Sequence, residues 1–127
     1  MNLEKVVFGF FIVLAATLNF GFFVGDIARA ELHNGYELFA AIVVNLIATL
    51  LKFGDRTQIG AVHLSTSLVA DLQLIAAAIT WTVAVHVTGV GMTPHLTSSV
   101  VSLAGGALLA NIVSIVILIA ETVMLRR

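Results

Sequence analysis

Residues 59–87 read IGAVHLSTSLVADLQLIAAAITWTVAVHV, an apolar run with a carboxylate, Asp71, inside it. Every other charged side chain of the chain sits near the end of an apolar run. An ionisable group at membrane depth costs a few kcal/mol or more, and it marks either an ion path or a polar contact between helices. Read as a helix, the run places His63, Ser67 and Asp71 at successive i+4 positions, and Ala78, Thr82 and His86 continue the line. Thr66, Ala70, Gln73, Ala77 and Thr80 flank it, while Leu64, Leu68, Leu72, Ile75, Ile79 and Val83 occupy the opposite side. The pattern predicts one small, polar face and one bulky, lipid-like face.

Depth decides what the aspartate does. With Trp81 as an anchor at the outer interface, Asp71 lies about 15 Å below it, close to the bilayer midplane. A helix running on to Val87 would bring Asp71 nearer the inner headgroups. The whole run would be about 43 Å long as one helix, so it must tilt, protrude or break in a core of ~30 Å.

Outward from this run, the composition is that of a membrane protein. The chain has 127 residues, of which 60% are hydrophobic and only 10% charged. Its apolar residues fall into four blocks near the ~20 residues that cross a bilayer, and backbone amides in lipid must be satisfied within their own segment. The expected fold is therefore all-α, a polytopic membrane protein forming a single transmembrane domain over residues 1–127, with helices at about 6–24, 38–53, 62–87 and 99–125. The short polar turn Gly54-Asp55-Arg56-Thr57-Gln58 makes the second and third helices antiparallel neighbours. Lys5, Lys52, Arg56, Arg126 and Arg127 fall on one side and Arg29 on the other, so both termini are expected inside, with the loops containing Asp26–Tyr36 and Thr88–Thr97 outside. Tyr36 fits the aromatic belt at the outer boundary, and Thr97 and Ser98 are expected to cap the fourth helix.

Lys5, an apolar stretch and Ala28-Arg29-Ala30 together resemble a secretory signal with a small-x-small cleavage site. The stretch is longer than the roughly 7–15 residues of a signal core and Glu4 dilutes its basic start, so the first block is expected to be a retained span. There is no cysteine, which removes disulfides and thiolate metal sites. A net charge of −1 without a basic cluster removes nucleic acid as a partner. No group of side chains supplies a nucleophile with its base or a metal-ligand spacing, so neither an enzyme nor a cofactor is expected.

Two further patterns concern helix contact. Blocks one, two and four each carry one asparagine, Asn19, Asn45 and Asn111, which seek partners across helices; Gly9 and Ala16 share a side with Asn19, as Ala41 and Thr49 do with Asn45. In block four Ser98, Ser102, Gly106, Ala110 and Ser114 recur at every fourth position, with Gly105 beside them. Such a ridge lets two backbones approach closely, and it is the expected contact between copies or the lining of a central axis.

The segment Thr88-Gly89-Val90-Gly91-Met92-Thr93-Pro94 resembles the selectivity-filter region of potassium channels. Thr88, Gly89, Val90, Gly91 and Pro94 match in kind but not in register, and the aromatic and acidic residues of that pattern are absent. The resemblance implies a re-entrant loop presenting a ring of backbone carbonyls. In size and in its Leu50–Asp71 region the chain is similar to an uncharacterised family of small four-helix bacterial inner-membrane proteins, which implies a multi-pass protein of the cell inner membrane and no particular activity.

The functional expectation is a homo-oligomer that conducts a small cation. Asp71 would be the charged element of the path, with Ser67, Gln73, Thr66 and His63 lining its inner part. The competing expectation is a non-conducting accessory or scaffold subunit whose polar residues bind a larger membrane protein.

Overall fold

The computed structural model describes residues 3–24, 33 and 35–125. Arg29 with the Ala28-Arg29-Ala30 segment, most of the loop expected outside, Arg126 and Arg127 lie outside them. Four helices follow one another: α1 (Leu3–Phe23), α2 (Gly35–Phe53), α3 (Gln58–Val87) and α4 (Pro94–Leu125). Each is long and apolar enough to cross a membrane, and the described residues contain no strand. Each helix packs on its neighbours in the chain, and α1 closes the ring against α4. The result is an up-down-up-down bundle.

The helices begin earlier than the apolar runs, because apolar runs mark depth in lipid whereas caps and polar first turns carry a helix into the headgroups. Thr57 caps α3: its Oγ1 accepts from the Gly60 amide at 2.9 Å. Asp55 locks this cap, its Oδ1 accepting from Thr57 N at 2.9 Å and from Thr57 Oγ1 at 2.7 Å. A Cβ at Gly60 would strike the Asp55 carboxylate, so the tight turn needs a glycine there.

At the other end of the bundle α4 starts at Pro94 rather than near Ser99. Proline suits the first helical position, and Thr93 is the cap, its Oγ1 accepting from Leu96 N at 3.2 Å. Thr97, expected as a cap, lies inside the helix and is fully buried, and Ser98 follows it within the helix.

Helix α3 is continuous to Thr82 and ends in a π-helical turn over Val83–Val87. There the Thr88 amide reaches back to Val83 O at 2.9 Å. The filter-like segment does not re-enter the bundle. Gly89 and Gly91 take φ of 72° and 81°, conformations that turn the chain sharply at no steric cost to glycine, and Gly91 N donates to Ala84 O at 2.7 Å. Thr88, Gly89 and Val90 are exposed, and the segment serves as a connector that finishes α3.

The basic end of the bundle carries Lys5, Lys52 and Arg56; the far end carries Trp81, against which Gly35 at the start of α2 lies closely. Tyr36 is highly exposed beside it. The main apolar core, Phe22, Leu38, Ala70, Leu74, Ala77, Val100, Val101, Ala104 and Ala107, fills the far half with Trp81 against it. A smaller cluster of Phe8, Ile12 and Ala48 lies toward the basic end.

The α4 ridge is divided between inside and outside. A Cβ at Gly106 would overlap the Gln73 side chain of α3, and Ser114 is buried against α3, whereas Ser102 is exposed. Gly106→Leu should therefore destabilise the protein by about 1–3 kcal/mol, and Ser102→Leu by less than about 0.5 kcal/mol, read as thermal unfolding in detergent.

The bonds from Thr57, with Lys52 nearby, hold the Asp55 carboxyl below the ordinary carboxylate range. A depressed folded value means a contribution present above the unfolded value and lost as pH falls through the folded one. The Tm advantage of the native protein over Asp55→Asn should therefore be constant above about pH 5 and vanish on acidification below about pH 4.

Candidate functional site

The polar face of α3 points into its own bundle. His63, Ser67, Ala70, Asp71, Ala77 and Ala78 are buried, while Leu68, Leu72, Ile75, Ile79 and Val83 are exposed, Leu72 to 71%. The buried side of α3 is thus the polar one and its exposed side the aliphatic one. The aliphatic face is the one that lipid accepts, so the polar groups are turned inward.

Asp71 is only 6% exposed, and its Oδ2 is 2.5 Å from Thr49 Oγ1 on α2. The same hydroxyl is 2.9 Å from the Asn45 carbonyl oxygen, one turn earlier. One hydroxyl proton serves one of these acceptors at a time. With Asp71 ionised, Thr49 donates to the carboxylate. With Asp71 protonated, its O–H donates to Thr49 Oγ1 and Thr49 donates to Asn45 O. The pair thus accommodates either charge state without moving a helix.

Contacts between helices set the heights of the remaining polar groups. Gln73 against Gly106 and His63 beside Ser114 fix an antiparallel register that brings Ser67 level with Asn111. Gly9 beside Leu118 and Phe23 against Gly105 fix α1 on α4, which puts Asn19 within about one turn of that level. Asn19, Asn45, Ser67, Asp71 and Asn111 are all buried. The four helices therefore bring their polar residues into one layer at mid-depth.

That layer is under-satisfied by protein atoms. Both side-chain polar atoms of Asn19 and of Asn111, with Asn45 Oδ1, Ser67 Oγ, Asp71 Oδ1 and Gln73 Oε1, have no hydrogen-bond partner among the described residues. Asn45 Nδ2 does donate to Ala41 O at 2.7 Å, and Thr66 Oγ1, half-buried, turns back to the His63 carbonyl at 2.9 Å. An unsatisfied buried group costs about 1–3 kcal/mol, so a layer with this many is built around something polar.

Toward the basic end the polar groups continue. His63, fully buried, is hydrogen-bonded through Nδ1 to Ser114 Oγ at 2.6 Å, and its Nε2 is 3.9 Å from Glu121 Oε1. Glu121 pairs with Lys5 at 3.1 Å. Lys52 reaches Asp55 at 3.5 Å, with its Nζ 4.4 Å from the Phe8 ring centroid, and Phe8 lies edge-on to His63 at 4.9 Å. Lys5, Lys52, Asp55 and Glu121, with Glu4, Arg56 and apolar residues of α1 and α2, line a cavity of about 1010 Å³, and His63 lies behind Glu121 and Phe8. Polar groups thus run from an open vestibule through Glu121, His63 and Ser67 to Asp71, and the apolar core closes the far half beyond.

Of the residues singled out in the sequence, the structure brings His63, Ser67, Gln73 and Asp71 together with Asn19, Asn45, Asn111 and Ser114. It leaves Ser102 and Thr88–Val90 exposed, with Ser98 and Ala110 half-buried. Thr49 as the partner of Asp71, and the Lys5–Glu121–His63 connection, were not evident in the sequence. Thr49 did share a helix face with Asn45, but Glu121 read only as a charge near the end of a span. Among the described residues no group of three histidine or carboxylate side chains is arranged to hold a metal.

No curated protein and no solved structure matches the chain. A family described as a family of unknown function, DUF6394, matches residues 32–122, most of the sequence and all of α2 and α3, and the protein is a member of that family.

Proposed function

We propose that this is a multi-pass protein of the cell inner membrane that conducts a small cation through the interior of each protomer, with Asp71 as the charge-bearing group and the basic end facing the cytoplasm. The observation that carries this reading is the one-sided line of buried polar groups from the vestibule to Asp71. A carboxylate held in hydrocarbon attracts a cation and repels anions, and the Thr49 relay lets it be charged or neutral in the same fold. The far half, sealed by Phe22, Leu38, Leu74 and Val100, corresponds to the closed state of such a path. Like copies would assemble through exposed faces, including Ser102 of α4.

The second reading, an accessory or scaffold subunit, is favoured by one observation: the polar face of α3 is used within the chain, as structural contacts would be. It predicts a larger membrane protein co-purifying under gentle extraction.

Flux into proteoliposomes separates the two. The purified protein should carry cations down a gradient and exclude chloride, and Asp71→Asn should reduce the flux at least about tenfold by removing the charge on which the path depends. No flux, or flux unchanged in Asp71→Asn, would refute conduction.

A further inference from the structure

We infer that the mid-depth layer is a binding site for one dehydrated monovalent cation of sodium size, held by Asp71 Oδ1, Ser67 Oγ, Asn111 Oδ1 and Asn19 Oδ1. The inference rests on the conduction reading and names the ion that the path would carry.

Four features point to it. All four atoms are on buried side chains and lack a hydrogen-bond partner among the described residues, although they lie in one layer of the bundle. Buried oxygens at one level that find no protein donor are free to take a shared polar ligand. All four are hard oxygen donors, carboxylate, hydroxyl and amide carbonyl, and no thiolate exists in the chain to draw a softer metal.

The charge is also matched. The layer has one ionisable group, Asp71, against three neutral ligands, so a monovalent ion neutralises it, whereas a divalent ion would leave a net positive charge in a low-dielectric interior. The nearest other charged or titratable groups, His63 and Lys52 with Glu121, lie toward the basic end and pair with one another or with Asp55.

The surroundings limit size. Ile12, Ala15, Ala70, Ala104 and Ala107, at neighbouring positions on the same helices, are fully buried, so an ion held there would be without its hydration shell. Thr49 meanwhile stabilises the other carboxylate oxygen, so Asp71 can ligate with Oδ1 while accepting a hydrogen bond at Oδ2. A proton on Asp71 competes with the ion for the same charge.

The test is thermal unfolding of the full chain in detergent, followed by the fluorescence of its single tryptophan, Trp81, in NaCl, LiCl, KCl, MgCl2 and choline chloride at equal ionic strength. The expected result is a saturable rise in Tm with NaCl over choline chloride, smaller with KCl and absent with MgCl2. Acidification should weaken it and Asp71→Asn abolish it. Ser67→Ala and Asn111→Ser, which keep the helices packed, should raise the half-saturating concentration at least about tenfold, and they preserve the test if Asp71→Asn does not fold. A wild-type protein with no saturable difference between NaCl and choline chloride would mean that the layer holds water only and would overturn the site, as would retention of the effect in Asp71→Asn. Saturable binding without flux would uphold the site and refute conduction; proton flux with no response to sodium would do the reverse.

Discussion

A carboxylate cannot be left bare at the middle of a bilayer, and the arrangement of this bundle depends on how Asp71 avoids it. Its desolvation is offset by Thr49 on the neighbouring helix, which requires α2 and α3 to be antiparallel and in one particular register. The same requirement turns the bulky side of α3 outward. Leu72, the immediate neighbour of Asp71, is accordingly among the most exposed residues of the helix. In water this would be an inverted protein; in lipid it is the arrangement of least free energy, because the tails are as apolar as leucine.

The buried polar groups are unevenly distributed along the bundle. From mid-depth to the basic end, the interior holds Asn19, Asn45, Ser67, Asp71, His63, Asn111 and Ser114, and beyond them a charged vestibule. On the far side, phenylalanine, leucine and valine make up most of the interior, with Trp81 packed against them and Thr97 buried nearby. Most of the buried polar side chains lie in the half toward the basic end, while Thr97 and His33 are buried in the other. The open cavity thus lies at the basic end and the larger apolar cluster in the far half.

Small residues serve this arrangement rather than an interface alone. Gly106 admits the Gln73 side chain and Ser114 meets the His63 imidazole, so the α4 ridge brings α3 close enough for polar groups of the two helices to share a level. Larger residues there would separate Ser67 from Asn111.

The sequence alone determined the fold class, the number of spans and which face of α3 is polar, because a 3.6-residue period and a bilayer's thickness act on one segment at a time. Asp71, His63, Ser67 and the asparagines were therefore legible as a polar set, whereas the helix starts at Gln58 and Pro94 were obscured because caps are polar. Only the tertiary structure decided where that set points and with whom it pairs. Thr49 with Asp71, Ser114 with His63 and Glu121 with Lys5 depend on how far one helix slides along the next. That displacement is set by side-chain interlocking between segments distant in the chain, and no local pattern encodes it.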